Sequence, residues 1–203
     1  MAKARQLRGN VFLNVPYDEQ FHRLYLAYIS GISAFGLVPR TTLEIPGGAR
    51  RLDCIFDLIQ RCRYSIHDLS RVQLDISAPR TPRFNMPFEL GLSVAWARVS
   101  GRNHTWFVFE AINRRLSKSL SDLNGTDPYV HDARIGGVFR ELCNCFVRRR
   151  RQPSVQQMRR IYREVRRALP EILRRAGTRS SYQTRVFKEI CVVAEASATR
   201  HVT

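Results

Sequence analysis

Four short apolar runs, residues 10–15 (NVFLNV), 37–43, 63–69 (RYSIHDL) and 104–109 (HTWFVF), are separated by stretches whose apolar residues recur at helical spacing. Nothing else in the chain constrains its fold as strongly. A strand, a crossover helix and a second strand run the two strands in the same direction, so the pattern predicts an α/β domain with a mostly parallel sheet. The intervening helices are expected at residues 20–35, ended by Gly36, at 51–61 with Leu52, Ile55, Phe56 and Ile59 at helical spacing, and through Glu89 to about Val99. Beyond residue 109 the spacing predicts a short helix at 114–123 and a turn at Asn124-Gly125. An apolar helix at 135–147 and a basic amphipathic helix over 153–175 follow, the latter kinked or divided by Pro170. The domain is expected over residues 10–176, after a basic extension at 1–9 and before a tail at 177–203.

A hydrophobic share of 44% suffices for a sizeable core. No apolar run reaches the ~20 residues that cross a bilayer, and MAKARQLRGN has no apolar segment of the signal-peptide kind. The five cysteines (Cys54, Cys62, Cys143, Cys145 and Cys191) are odd in number and scattered, which predicts reduced, metal-free thiols and a cytoplasmic protein. The net charge is +17 and uneven: residues 147–203 hold 15 basic against 4 acidic side chains. That balance permits a nucleic-acid partner through the basic C-terminal region, and it also fits a solvated helix face.

In a parallel sheet, ligands bind beyond the carboxyl ends of the strands. Three loops fall there: Pro16-Tyr17-Asp18, then Glu44 through Arg51 with Gly47-Gly48 and Arg50-Arg51, then His67-Asp68-Leu69-Ser70 with Asn85 and Glu89 shortly beyond. There is no dinucleotide fingerprint and no P-loop. Gly47, Gly48, Arg50 and Arg51 before a helix could seat a phosphate, or form a plain turn with solvated arginines. Asp68 could serve the site, cap its loop or pair with Arg71. His67 points to the opposite face and reads as structural. No Ser/His/Asp or metal-ligand constellation emerges.

Glu89 is the only ionisable residue from Met86 to Ala97. Two readings fit it. With Pro87 as the first helical residue, Glu89 is third and caps backbone N–H groups. Otherwise it is functional, since a lone carboxylate on an apolar helix is costly to bury.

The segments FLNVPYDEQF, PGGARRLDCIFDLI, YSIHDLSR, PRFNMPFELGLSVA and DLNGTD together resemble the bacterial TIR-like and nucleoside 2-deoxyribosyltransferase-like superfamily, over residues 10–170. The resemblance implies a flavodoxin-like three-layer fold and cleavage or transfer of N-glycosidic bonds of nucleosides, nucleotides or NAD. It places the catalytic glutamate at Glu89, a ribose-contacting carboxylate near Asp68 and an orienting amide near Asn85. Phe12 and Tyr17 are nominated as the aromatic residues that would sandwich the base. NAD or a related nucleotide would be substrate rather than cofactor. A role in bacterial antiviral defence, as a homo-oligomer or with a defence partner, would follow. The alternatives are a non-catalytic module that binds a nucleotide signal, or a nucleic-acid-associated protein using the Arg-rich C-terminal helix.

Overall fold

The computed structural model describes residues 9–48, 50–72, 81–101, 103–123, 125–148 and 152–202. The basic extension up to residue 8, Asn124 of the expected turn and the centre of the loop before Arg83 lie outside the described residues. Among the described residues there are five strands: β1 (Asn10–Asn14), β2 (Val38–Arg40), β3 (Tyr64–Asp68), β4 (Thr105–Glu110) and β5 (Tyr129–Val130). Seven α-helices accompany them: α1 (His22–Ala34), α2 (Arg51–Gln60), α3 (Asn85–Val99), α4 (Arg115–Ser119), α5 (Ile135–Cys145), α6 (Val155–Ala176) and α7 (Thr184–Val202).

The sheet runs β2-β1-β3-β4-β5 and every pairing is parallel. This is the flavodoxin-like order, in which the direction of winding reverses between β1 and β3. Register follows the alternation of side chains: Leu13 pairs with Ile66, and Ile66 with Phe107. Val11, Leu13, Ile66 and Phe109 face the main core beneath α1, α5, α6 and α7. Phe12 faces the other way, onto Ile55, Leu58 and Ile59 of α2. A third cluster, Leu69, Met86, Leu90, Val108 and Leu116, lies under α3 and α4.

Every residue of α1 from Leu24 to Ala34 is buried. The cause is that α1 packs against α6 and α7 as well as α5, so it has almost no solvent face. Gly31 permits the approach of α5, since a Cβ there would stand 2.3 Å from Leu142 Cδ1.

The structure corrects the expected chain plan at its end. Residues 177–203 were expected as a tail, yet they contribute α7, whose Val186, Phe187, Ile190, Ala194 and Ala198 are buried in the main core. Gly177, at φ 66, ends α6 in the left-handed conformation and turns the chain back for α7. Pro170 does not divide α6, which runs from Val155 to Ala176. The proline is exposed, so the Arg166 carbonyl it deprives of a partner lies on the wet side of the helix. The second strand is three residues long, because Glu44 draws the chain into a turn by accepting from Thr41 N–H (3.0 Å) and Arg40 Nε (2.9 Å). No helix among the described residues is long and apolar enough to cross a membrane.

Candidate functional site

The crevice between β1 and β3 is where this sheet order opens a ligand site. Asn14, the last residue of β1, holds α3 there. Its amide Nδ2 donates to the Met86 carbonyl (3.0 Å) and stands 3.0 Å from His67 Nδ1. His67 Nδ1 therefore accepts, and the ring proton sits on Nε2, which has no partner among the described residues. Burial, with the nearby His104, pushes the His67 imidazole down to about 3, so it stays neutral. Asp18, after β1, ties the other lip of the crevice through Arg83 (2.8 Å) and Arg71 (3.2 Å). Burial raises its carboxyl, but Arg83, the Phe21 N–H and Arg71 together hold it below the ordinary value.

Helix α3 begins two residues earlier than the capping reading requires. Phe84 precedes it, Asn85 is the first helical residue, and Pro87 occupies the third position, where the missing N–H would lack an intrahelical partner anyway. Glu89 is consequently fifth. It lies beyond the four free N–H groups that a cap can satisfy, and the capping reading fails on this geometry.

Glu89 is 5% exposed. Burial pushes its carboxyl up to about 7, against a smaller opposing pull from the Arg51 guanidinium. Tyr17 belongs to the same neighbourhood: its hydroxyl lies 3.2 Å from Thr42 Oγ1 and feels both Glu89 and Arg51. Burial is the largest cause of its own rise to about 12. Asn85 is exposed one turn before Glu89 and on the same side of the helix. Arg51 opens α2, with Arg50 before it, and Gly47 and Gly48 form the exposed turn ahead, Gly48 at φ 83. The structure thus brings Glu89, Tyr17 and Arg51 together, with Asn85 one turn away.

It does not bring Asp68 to them. Asp68 points to the α1 side of the sheet, is fully buried, and accepts from Tyr28 Oη (2.6 Å), His131 Nε2 (2.9 Å) and Ser70 N–H (2.9 Å). Burial raises its carboxyl and these donors outweigh that, the His131 contact first among them, leaving it below its ordinary value. A ribose has no route to it. Nor does Arg71 pair with Asp68, since it is held by Asp18 and Gln20. Phe12 is also unavailable to stack on a base, being fully buried and edge-on to His67 at 5.9 Å.

Sequence inspection missed the grouping of Ser70, His131 and Asp68. Its residue types are those of a hydrolase triad, but its wiring is not. Ser70 Oγ (3.1 Å) and Asp68 Oδ2 (2.9 Å) both meet the same nitrogen, His131 Nε2, while Nδ1 accepts from the Ala133 N–H (3.1 Å). Nε2 therefore carries the proton and cannot take one from Ser70. Gly137 keeps this loop in place, because a Cβ there would lie 2.1 Å from the His131 carbonyl oxygen.

Three carboxylates are buried among the described residues: Asp68, Glu89 and Glu110. Asp68 has three donors, and Glu110 has Arg115 and the Ala111 N–H (2.7 Å). Glu89 has no hydrogen bond and no ion pair among the described residues. No group of three His, Cys, Asp or Glu side chains among them is placed to hold a metal, and all five cysteines are free. No protein-family model, curated protein or solved structure matches the chain.

Proposed function

We propose that the protein cleaves the N-glycosidic bond of NAD or a related nucleotide, with Glu89 as the catalytic carboxylate. The observation that supports this reading is the isolation of Glu89. Among the described residues it is a buried acid without a donor, at the β1/β3 crevice, with a cation and a phenol nearby. A carboxylate kept at a carboxyl value of about 7 is destabilised in the empty protein, and a developing positive charge beside it relieves that cost.

In the reaction, the bond between ribose C1′ and the pyridinium nitrogen breaks, and its electron pair leaves with nicotinamide as a neutral base. The ionised Glu89 faces the oxocarbenium carbon that remains. Water then adds at C1′ and releases a proton, giving ADP-ribose. No second carboxylate is required, because the leaving group needs no proton. Tyr17 and Asn85 border the substrate, and Arg51 with the exposed Gly47-Gly48 turn offers contacts to phosphate. Asp68 supports the sheet edge from the opposite side and touches no substrate in this scheme. The resemblance to the TIR-like superfamily supports the same chemistry and the same glutamate.

The test is nicotinamide release per mole of folded protein during incubation with NAD. Glu89→Gln should reduce it by at least about 10²-fold, or roughly 2.7 kcal/mol of transition-state stabilisation. Saturable NAD binding by the wild type without any release would replace catalysis by a nucleotide-sensing role for the same crevice.

A further inference from the structure

Helix α6 divides cleanly into two faces. Met158, Ile161, Val165, Leu169 and Ile172 are buried in the main core, while Arg159, Arg160, Arg163, Arg166 and Arg167 are exposed. None of these five arginines has a carboxylate within ion-pair reach among the described residues. The acids nearby are already taken: Glu164 by His201 (2.6 Å) and Arg200 (2.5 Å) of α7, and Glu171 by Arg174 (2.7 Å).

The spacing makes the arrangement costly to the free protein. Arg163 stands i+4 from Arg159, i+3 from Arg160, and three and four residues before Arg166 and Arg167, so four like-charge pairs meet at one crest. Glu164, four residues after Arg160 and three before Arg167, is the one acid in this stretch, and its ion pairs go to Arg200 and His201 of α7. A groove of about 420 Å³ runs beside Arg159 and Arg163, and another of about 290 Å³ lies beside Arg160, Arg163 and Arg167 with the paired Glu164 and His201, so the crest is open on both flanks.

We infer that this ridge docks on the phosphodiester backbone of a nucleic-acid duplex. From residue 159 to residue 167 the ridge rises about 12 Å, which faces roughly three to four phosphates of one strand. Two features separate a duplex from other polyanions. The ridge exposes no aromatic side chain, and its one tyrosine, Tyr162, is 5% exposed beneath Arg166, so there is no platform for the bases of a single strand. The apolar stripe of α6 is committed to the core and cannot enter a lipid surface as an amphipathic helix does. This surface is independent of Glu89 and stands whether or not the crevice is catalytic.

The experiment measures binding of the full chain to a DNA duplex of about 20 base pairs, the matching RNA duplex, the single strand and phosphatidylserine vesicles, between 50 and 200 mM salt. Duplex affinity should fall about 10²-fold over that range. The Arg160→Gln/Arg163→Gln/Arg167→Gln variant should flatten the slope of log K against log salt by about 2.7, or 0.9 per arginine. Arg174→Gln, at an arginine already paired, should leave the slope unchanged, and equal melting temperatures verify folding. Either duplex behaving this way supports the inference, and the tighter one identifies the source. An unchanged slope in the triple variant, or tighter binding to the single strand or to vesicles, overturns it.

Discussion

Glu89→Gln should make the protein more stable while lowering the proposed nicotinamide release by at least about 10²-fold. In the unfolded chain this carboxyl titrates near 4.5, and in the folded protein burial raises it to about 7. Between these values the folded state binds more protons than the unfolded state, so stability falls as pH rises from about 4.5 to about 7 and is level beyond. A shift of that size corresponds to about 3 kcal/mol of destabilisation above pH 7, using about 1.4 kcal/mol per pH unit. Glutamine keeps the shape and removes the charge, so most of that cost disappears. For a domain of this length, about 3 kcal/mol raises the melting temperature by roughly 6–12 °C. Thermal melts of wild type and variant at pH 8 and pH 4.5 decide the matter, with the gap present at pH 8 and nearly closed at pH 4.5. A cap would behave in the opposite way, its loss costing about 0.5–2 kcal/mol. A variant that melts at or below the wild type at pH 8 refutes the reasoning. The same titration predicts that wild-type kcat/KM for NAD rises with pH through about 7, as Glu89 ionises.

Asp68→Asn should destabilise the fold by at least about 1–3 kcal/mol, because an amide N–H2 would confront donors from Tyr28 and His131. Nicotinamide release per folded molecule should nonetheless persist, and a loss beyond 10-fold would return Asp68 to the site. Truncation after Gly177 removes α7 and strips cover from α1, so the product should lack a cooperative melt; a folded truncated chain would make α7 dispensable. Gly31→Ala should cost about 1–3 kcal/mol through the clash with Leu142, and Leu142→Ala in the same chain should cost less than the two separate effects added, as a double-mutant cycle in denaturant would show. Leu169→Ala should cost about 2–5 kcal/mol by the same assay, whereas Arg159→Gln with Arg160→Gln should change stability little.

The layered α/β architecture was legible in the chain because apolar runs such as NVFLNV and HTWFVF are long enough to show their period, and because the helices between them force parallel pairing. Glu89 was conspicuous for a related reason: a single charge in twelve consecutive positions is visible without coordinates. Strand β5 left no such trace, since two residues cannot display an alternation. The role of α7 was equally hidden. Its apolar residues have a helical period, but only the position of α1 between the sheet and the α6–α7 pair shows that they complete the core. Tertiary structure also settled the carboxylates. Whether Asp68, Glu110 or Glu89 is satisfied depends on donors 40 and 63 residues away in the first case (Tyr28 and His131), on Arg115 five residues away in the second, and on none among the described residues in the third. Local sequence sets which residues a chain offers at a sheet edge. The free energy of burying their charge belongs to partners brought in from elsewhere by the fold.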